Sequence, residues 1–562
     1  VPGITNAVVI VKENLNGNND LFAYVVSSAK VNLSDVRSSL KKKIPFYMIP
    51  PYIMQIDAIP MNNSGKLDSS RLPDIKFLTQ TTYVAPTNKL EKKLVKIITT
   101  IAGIPNLGID DDIMEYGINS IDALKIVSEA SAQNIRLNVQ TLFDYPTVRE
   151  MVSKVQQNNE EDYEVDEPEG YRNCNVIVKD NHITADYHVK ERKMKRVLVT
   201  GATGFLGSHV VRELLKDPEK VVYCAVRGST TANCRKRLGE ILSFYFPEEK
   251  LIDLPGIRTI KYDPNVEEDK ENLPTDIDTV IHVAANTNHY GNREKFIVSN
   301  VGFTEKMLSY AKEVHAMFCY VSTTSVQGLM RFNSEKQKYT ERDFYIGQIF
   351  ISPYAKSKFM AERLVLEARK DYEDAFIVRV GNLTNRYTDG VTMKTPNSNY
   401  FLELLGAVIN LGVVSTELME DTVEMSPIDE TAEGLVQICS HYDSKFSVFH
   451  LNNDKRVSLS RIFEELKKKG IIIKKVPDVV LAFKLNHALH GNDNRRKIYE
   501  VLRRNDVYDF KENLVLFDTD SSFTNQFLKK CGFEWKYNDD TYLKKFIDMN
   551  LSRRIWKGVR SK

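Results

Sequence analysis

The sequence predicts a multidomain protein in which a small α+β subdomain and a four-helix bundle precede a doubly wound α/β parallel sheet with a smaller, mostly helical C-terminal subdomain. Three observations lead to this prediction. The chain has 562 residues, too many for one ordinary core. From about residue 194 onward, short apolar strands alternate with helical patterns. Upstream, residues 160–170 carry seven acids and no base, a composition typical of a linker between domains.

Each predicted domain has its own pattern. The first region mixes short strands with a helical stretch. The second is helical throughout, with apolar residues from Leu90 to Ile101 recurring on one helical stripe. The predicted boundaries are 1–77 for the α+β subdomain, 84–157 for the bundle, 158–193 for a linker, 194–390 for the sheet and 391–562 for the mainly helical subdomain. The predicted strands of the sheet are 196–200, 221–226, 259–262, 279–284, 317–322 and 376–381.

Composition excludes several classes of protein. With 77 basic and 75 acidic residues, the chain lacks the excess of positive charge that is typical of nucleic-acid-binding proteins. The six cysteines lack paired spacing, which predicts reduced thiols and no metal site. The sequence has no membrane-length apolar run and no signal peptide, so we expect a cytoplasmic protein with no membrane partner. It begins Val-Pro-Gly without an initiator methionine, and we expect a fragment of something longer.

A glycine-rich turn follows the first predicted strand of the sheet. Gly201 allows a tight turn, Gly204 lets the backbone approach a ligand, and Gly207 lets the next helix pack closely on the strand. The start of that helix would direct backbone amides and a positive dipole at an anion. The spacing predicts a Rossmann-type site for a dinucleotide pyrophosphate, although a glycine turn of another α/β protein remains an alternative. The candidate residues are Gly201, Thr203, Gly204, Phe205, Leu206 and Gly207.

An arginine at the end of the second predicted strand indicates which dinucleotide the site would bind. Arg227 lies 20 residues past Gly207, where an acidic residue would accept the ribose hydroxyls of NAD. An arginine there suits a 2′-phosphate, and so favours NADPH. Arg237, on the following helical pattern, is a candidate for the other side of a phosphate clamp or a solvated helix arginine.

Three further residues suggest reductive chemistry. Tyr354 and Lys358 are four apart on one predicted helix face. Thr323 follows a strand at its carboxyl end, where doubly wound folds place their chemistry. We expect the lysine ammonium to lower the pKa of the phenol, and the threonine hydroxyl to share a developing oxyanion. The alternative is a pair of exposed helix residues.

Together, these and other pieces resemble the extended short-chain dehydrogenase/reductase family, and most closely its thioester reductase branch, which terminates nonribosomal peptide synthetases and carboxylic acid reductases. The resemblance covers most of residues 194–562. The matching pieces are TGATGFLG (200–207), VRG (226–228), IHVAA (281–285), NVGFT (300–304), VSTTSV (321–326), YAKSK (354–358), RVGNLTNR (379–386) and SPIDE (426–430).

The resemblance implies roles for individual residues. Thr323, Tyr354 and Lys358 would form the catalytic triad. His282, Ala284 and Ala285 would line the cofactor channel, Asn300 would lie behind the active site, and Asp263 would lie near the adenine. The family usually has Gly-Asp-Leu around that aspartate, whereas this chain has Tyr262-Asp263-Pro264.

Two upstream stretches resemble other synthetase parts. Residues 110–124 are similar to the attachment motif of acyl and peptidyl carrier proteins, which implies 4′-phosphopantetheine on Ser120 and a phosphopantetheinyl transferase as partner. The alternative is a plain helix N-cap serine. Residues 44–50 and 63–68 resemble the last two motifs of adenylation domains, and Lys66 would be the lysine that contacts the substrate during adenylation. The large adenylation subdomain is absent, so we expect no acid activation by this chain alone.

The resemblance therefore implies reductive release of a carrier-bound peptidyl or aminoacyl thioester by NADPH, giving an aldehyde or, after a second hydride, an alcohol. Upstream synthetase domains would be partners. Three alternatives remain open: a non-redox domain that releases its product by cyclisation, a vestigial reductase whose carrier acts as an interaction module, and a free-standing dehydrogenase. The sequence does not indicate the acyl group, the docking geometry or the oligomeric state.

Overall fold

The computed structural model divides the chain into two compact units, residues 1–162 and 163–562. The described residues are 4–13, 19–27, 31, 36, 40, 50, 52–61, 67–73, 83–104, 106–116, 118, 120–133, 135, 137, 139–157, 168–184, 186–288, 293–331, 338–350, 352–395, 399–416, 419, 421–477, 481, 514–516 and 518–556.

The first unit contains a small sheet followed by helices. Strands β1 (Asn6–Glu13) and β2 (Asn19–Val26) are antiparallel, and β3 (Tyr52–Gln55) runs parallel to β2. The helices are α1 (Lys89–Ala102), α2 (Ser120–Ala132), α3 (Val139–Asp144) and α4 (Val148–Gln157). Helix α1 begins with a capping box. The Asn88 side chain accepts hydrogen bonds from backbone N–H groups of the first turn, and the Glu91 side chain accepts one from the backbone N–H of Asn88, so the start of the helix is well defined. Short 3₁₀ turns cover Ser69–Arg71 and Ile113–Tyr116.

The second unit is built on a seven-stranded parallel sheet, which confirms the predicted doubly wound class. Its strands are β4 (Arg196–Thr200), β5 (Val221–Val226), β6 (Ile257–Lys261), β7 (Thr279–His282), β8 (Met317–Thr323), β9 (Ala375–Val380) and β10 (Val448–Leu451). The strand order is β10-β9-β8-β7-β4-β5-β6, so the order reverses beside β4. Ligands of such sheets bind at the carboxyl ends of the strands next to this reversal.

Helices cover both faces of this sheet. One apolar cluster joins it to α6 (Phe205–Leu214), α7 (Thr231–Tyr245), α11 (Ile428–His441) and α13 (Ser522–Lys530). A second cluster joins it to α5 (Pro168–Ile177), α8 (Phe303–Glu313) and α9 (Pro353–Ala368). The chain enters α8 through one α turn, Arg293–Phe296, and a π-helical turn, Ile297–Gly302. The 3₁₀ turns are Val178–Asp180, Leu251–Asp253, Glu267–Asn272 and Thr324–Gln327.

The C-terminal residues differ from the separate subdomain predicted for 391–562. Helices α10 (Tyr400–Leu411), α12 (Leu459–Lys468) and α14 (Asp540–Ser552) do share a core of their own. Between them, however, the chain returns twice to the sheet, because β10, α11 and α13 all pack in the core around it. The remaining strands form short pairs: 338–339 with 518–519, 383–384 with 426–427, 413–415 with 474–476, 422–423 with 457–458, and 329–331 with 514–516.

Helix α5 lies inside the range predicted as a linker, 158–193. Its Tyr171 and Cys174 are buried in the same cluster as Phe359 of α9, and the Tyr171 ring contacts the Phe359 ring edge-on at 5.1 Å. The acidic composition of residues 160–170 concealed the apolar face that begins at Tyr171. The second unit therefore begins before the predicted boundary at 194.

Two findings bear on the compositional predictions. Where the structure describes the chain, no helix is long and apolar enough to cross a membrane. All six cysteines are unpaired thiols, and five of them are buried.

Candidate active site

The glycine turn, residues 201–207, lies at the carboxyl end of β4 beside the reversal of strand order. Gly201 has a φ of 72°, and a Cβ on it would lie 2.8 Å from the backbone nitrogen of Ala284. A Cβ on Gly207 would lie 2.1 Å from the Gly201 carbonyl oxygen. Neither position tolerates a side chain, so the turn approaches both the next strand and its own helix as closely as backbone can.

The start of α6 leaves its backbone amides without a side-chain cap. The N-cap is the exposed Gly204, and Thr203 beside it is half-buried. The Phe205 ring packs against the rings of His209 and Tyr245, and Leu206 is buried in the core. These two side chains thus anchor the helix and leave only their backbone to a ligand. The residues fit the pyrophosphate of a dinucleotide, because uncapped amides at a helix N-terminus bind anions.

His282 lies behind the glycine turn instead of lining a channel. Its side chain is fully buried, and its Nδ1 is 2.8 Å from Thr200 Oγ1, which also accepts the backbone N–H of Ala284 at 3.2 Å. Burial lowers the pKa of His282 to about 3, so the ring is neutral. This residue therefore holds the ends of β4 and β7 together, whereas Ala284 and Ala285 are half-buried in the loop that follows.

The two arginines proposed as a phosphate clamp lie side by side. Arg227 follows β5 and is exposed, and Arg237 on α7 donates from Nη1 to the Arg227 carbonyl oxygen at 3.1 Å. Asp263 follows the neighbouring strand β6, where its Oδ1 accepts the backbone N–H of Asn265 at 3.0 Å. That bond closes a local turn, so Asp263 shapes the loop beside the arginines.

Thr323 and Tyr354 meet at the carboxyl end of β8. Tyr354 is half-buried in the first turn of α9, and the Thr323 hydroxyl, which donates to Ser325 Oγ at 3.2 Å, lies near enough to affect the pKa of the phenol. Burial raises the pKa of Tyr354 to about 12, and the neighbouring Thr323 hydroxyl offsets this only in part. The sequence predicts a phenol pKa lowered by the lysine; the structure gives the opposite direction because desolvation outweighs the neighbouring groups.

Lys358 lies one turn further along α9 and is buried. Its Nζ donates to the Val321 carbonyl oxygen at 2.6 Å and lies 4.2 Å from the centre of the Tyr320 ring. Burial lowers the pKa of Lys358 to about 7, and the nearby charge of Glu362 acts in the other direction. The structure thus brings Thr323, Tyr354 and Lys358 together between β8 and α9.

Asn300 joins the loop after β7 to the helix that carries Tyr354. It lies in the π-helical turn, where Oδ1 accepts the backbone N–H of Asn286 at 2.7 Å and Nδ2 donates to Ser357 Oγ at 2.9 Å. Ser357 Oγ in turn donates to the Tyr354 carbonyl oxygen at 2.8 Å. The resemblance predicts Asn300 behind the active site but indicates neither of its hydrogen-bond partners. Ser357 lies within the YAKSK piece, whereas none of the matching pieces includes Asn286.

The predicted sites of the first unit are only partly described. Ser120 is the first residue of α2, whose Ala123, Ile126 and Val127 are buried. The helix thus begins at the residue predicted to carry the phosphopantetheine. Lys66, and with it most of the two adenylation-like motifs, lies outside the described residues. Among the residues that are described, no group of His, Cys, Asp or Glu is placed to hold a metal ion.

Two protein families match this chain. The phosphopantetheine attachment site family matches residues 92–155, and an NAD-binding family described as male sterility protein matches residues 199–435. One polypeptide of the linear gramicidin synthase of Brevibacillus parabrevis is 25% identical over 501 residues, which is 84% of this chain and 10% of that protein. The chain thus spans about one tenth of this relative.

Solved structures cover the same two parts. A thiolation-reductase di-domain from an archaeal non-ribosomal peptide synthetase is 29% identical with a TM-score of 0.73, over 85% of this chain and 100% of that one. The aureusimine biosynthetic cluster reductase domain is 27% identical with a TM-score of 0.59, over 69% of this chain and 100% of that one. Residues 92–155 therefore match a phosphopantetheine attachment domain and residues 199–435 match an NAD-binding domain, in the same order in which thiolation and reductase parts follow one another in the similar archaeal di-domain.

Proposed function

We propose that this chain releases an acyl or peptidyl group from its own carrier domain by reducing the thioester with NADPH to an aldehyde. The observation that carries the proposal is the grouping of Thr323, Tyr354 and Lys358 between β8 and α9, at the same edge of the sheet as the glycine turn. The carrier domain in the same chain supplies the reason to expect a thioester as substrate.

The site divides into a part that holds the dinucleotide and a part that acts on the substrate. The glycine turn and the amides of α6 would hold the pyrophosphate, and Arg227 with Arg237 would hold the 2′-phosphate. Bound NADPH would supply the hydride. The two exposed guanidinium groups favour a phosphorylated ribose over an unmodified one, because a phosphate pairs with their charge.

Tyr354 is suited to donate a proton to the thioester carbonyl oxygen. With a pKa near 12 the phenol keeps its proton at neutral pH and transfers it as negative charge develops on that oxygen. The Thr323 hydroxyl, which donates to Ser325 Oγ in this structure, would rotate to donate to the phenolate that remains and stabilise it. Lys358, buried one turn away, contributes positive charge when it is protonated.

The reaction balances with one hydride and one proton. They add to the thioester carbonyl and give a hemithioacetal. Its C–S bond then breaks, so that an aldehyde leaves and the pantetheine sulfur recovers as a thiol. A second hydride and proton would convert the aldehyde into an alcohol.

The remaining parts of the proposal concern partners and context. Ser120 would receive its 4′-phosphopantetheine from a phosphopantetheinyl transferase, and synthetase domains upstream would load the thioester. We assign residues 1–77 to the C-terminal subdomain of an adenylation domain, with Lys66 as its motif lysine. The unpaired cysteines and the use of NADPH favour a cytoplasmic protein.

A loaded-carrier assay tests the proposal. The chain is converted with a phosphopantetheinyl transferase and an acyl-coenzyme A, and NADPH absorbance and released product are followed together. We expect one NADPH consumed per aldehyde released, little activity in Tyr354→Phe, and no loading of Ser120→Ala. Product released without NADPH consumption would favour a cyclising domain, and full turnover by Tyr354→Phe would refute the assigned proton donor.

A further inference from the structure

Lys358 lies in an unfavourable place for an ammonium group. The side chain is 2% exposed, and its neighbours include a backbone carbonyl at 2.6 Å and the face of the Tyr320 ring. A buried charge is expensive unless an opposite charge offsets the loss of water. The proposed reduction uses the ammonium form, so the fold needs a source of negative charge near it.

Glu362 supplies a carboxylate one helical turn beyond Lys358 on α9. It is fully buried and bound by Arg379 of β9, which is also fully buried. Arg379 Nε donates to Oε1 and Oε2 of Glu362 at 3.0 and 3.2 Å, and Nη2 donates to Oε2 at 2.7 Å. The fork geometry pairs the Glu362 carboxyl group with the guanidinium of Arg379 and fixes its orientation.

Arg379 is itself held from three other elements. Its Nη1 donates to the Asp343 carbonyl oxygen at 2.9 Å and lies 3.1 Å from His450 Nε2 of β10. The guanidinium also lies 4.9 Å from the centre of the Tyr339 ring. These contacts hold the Arg379 guanidinium against the Glu362 carboxylate.

The other titratable groups around Lys358 are neutral near pH 7. Burial lowers the pKa of His282 on β7 to about 3, and burial raises the pKa values of Tyr320 on β8 and Tyr354 on α9. The charge that acts on Lys358 from its surroundings is therefore that of Glu362, which is itself paired with Arg379.

We propose that Glu362 and Arg379 are positioning residues that set the charge of Lys358: Glu362 stabilises the ammonium, and Arg379 limits how strongly it does so. Neither residue lies among the residues proposed to touch the dinucleotide or substrate. The inference rests on the proposed function for its catalytic meaning, but the charge relationship itself is independent of turnover.

Nuclear magnetic resonance of the intact chain measures that relationship directly. The protein is labelled with [ε-¹³C]lysine, and the Lys358 resonance is assigned by its loss in Lys358→Arg. We expect the wild-type resonance to titrate near neutral pH. Replacing Glu362 by Gln should lower the midpoint by about 1 pH unit or more, and Arg379→Gln should raise it by a similar amount. Arg379→Lys, which keeps the charge, is the matched control and should stay near the wild-type midpoint.

The proposal predicts that the Lys358 midpoint shifts in opposite directions in Glu362→Gln and Arg379→Gln, because a merely structural defect would shift it in the same direction in both variants. Equal midpoints in wild type, Glu362→Gln and Arg379→Gln would overturn it. Should either glutamine variant fail to fold, the wild-type titration still decides: a midpoint below about 5 would show that Glu362 does not stabilise the ammonium form of Lys358.

Turnover with a loaded carrier gives the second readout. The alkaline limb of kcat should move with the midpoint of each variant, while the KM for NADPH changes less. If the wild type shows no NADPH-dependent release but the resonance shifts as expected, the proposed function fails and the charge relationship stands. If release occurs but the midpoints do not move, only the inference fails.

Discussion

Replacing Gly207 by Ala tests whether the close approach in the glycine turn creates the dinucleotide site. A Cβ at this position would lie 2.1 Å from the Gly201 carbonyl oxygen, about 1.3 Å short of the 3.4 Å at which ordinary contact begins. The obstacle is backbone, so α6 must move away from β4 and carry its N-terminal amides with it. Overpacking of this kind costs about 1–3 kcal/mol. If that strain falls on the bound state, NADPH binding weakens by about 5- to 150-fold.

Fluorescence titration with NADPH measures the effect, and thermal unfolding reports whether the domain remains folded. Gly239→Ala is the matched control, since it makes the same change on the neighbouring helix α7 with the nearest atom, Ile252 Cγ1, at 3.5 Å. Both variants gain the same helix propensity, about 1 kcal/mol, so their difference isolates the clash. Wild-type NADPH affinity in a folded Gly207→Ala protein would refute the reasoning.

Three other predictions follow from the site. Removing the guanidinium in Arg227→Ala should raise the Kd for NADPH by about 10- to 100-fold and leave that for NADH unchanged, because a bond to a charged group contributes about 1.5–3 kcal/mol; equal losses for both dinucleotides would contradict a 2′-phosphate contact. Asn300→Ala leaves buried partners unsatisfied and should lower the free energy of unfolding by about 1–3 kcal/mol in a denaturant titration; an unchanged transition would show that the bonds to Asn286 and Ser357 are dispensable. Burial lowers the pKa values of His209 and His282 to about 3, below the unfolded value near 6.5, so the unfolded state binds more protons between these values. The stability that each neutral histidine contributes should therefore fall as the pH decreases from about 6.5 toward 3, by at most about 1.4 kcal/mol per pH unit, whereas Glu341, Glu424 and Glu430, whose pKa values burial raises to about 7, act in the opposite direction. The effect is therefore measured as the difference in thermal midpoint between wild type and His209→Gln, and a difference that stays constant from pH 7 to 5 would contradict it.

Local pattern was sufficient for much of the sheet. Strands β4 and β5 were predicted at the limits they have, because each is a short apolar run that ends in a turn signal. Strand β10 was missed. It is four residues long, contains the buried His450, and pairs in parallel with β9, which ends 68 residues earlier. A pairing at that separation leaves no periodic trace in either segment, so the C-terminal residues were assigned to a mostly helical subdomain.

In the candidate site, too, the local features could be predicted from the sequence, and the features that depend on tertiary packing could not. The glycine spacing and the Tyr354–Lys358 interval are local, and both could be read from the sequence. The sequence predicts a lowered pKa for Tyr354, whereas burial raises it, and burial is a property of the folded chain that the YxxxK spacing does not contain. The position of His282 behind the turn, and the pairing of Glu362 with Arg379, also arise from tertiary packing. Motif spacing does not reveal either of them.

The return of the chain to the central sheet at β10 has a consequence for synthesis on the ribosome. The carrier domain emerges whole before any of the sheet, and can fold as soon as α4 is complete. The central sheet cannot fold as early, because one edge of β9 stays unpaired until residues Val448–Leu451 have been made. Helix α13, which covers this part of the sheet, is complete only after residue 530. A nascent chain interrupted between these points would present a free apolar strand edge, the kind of surface that chaperones bind and that nucleates aggregation.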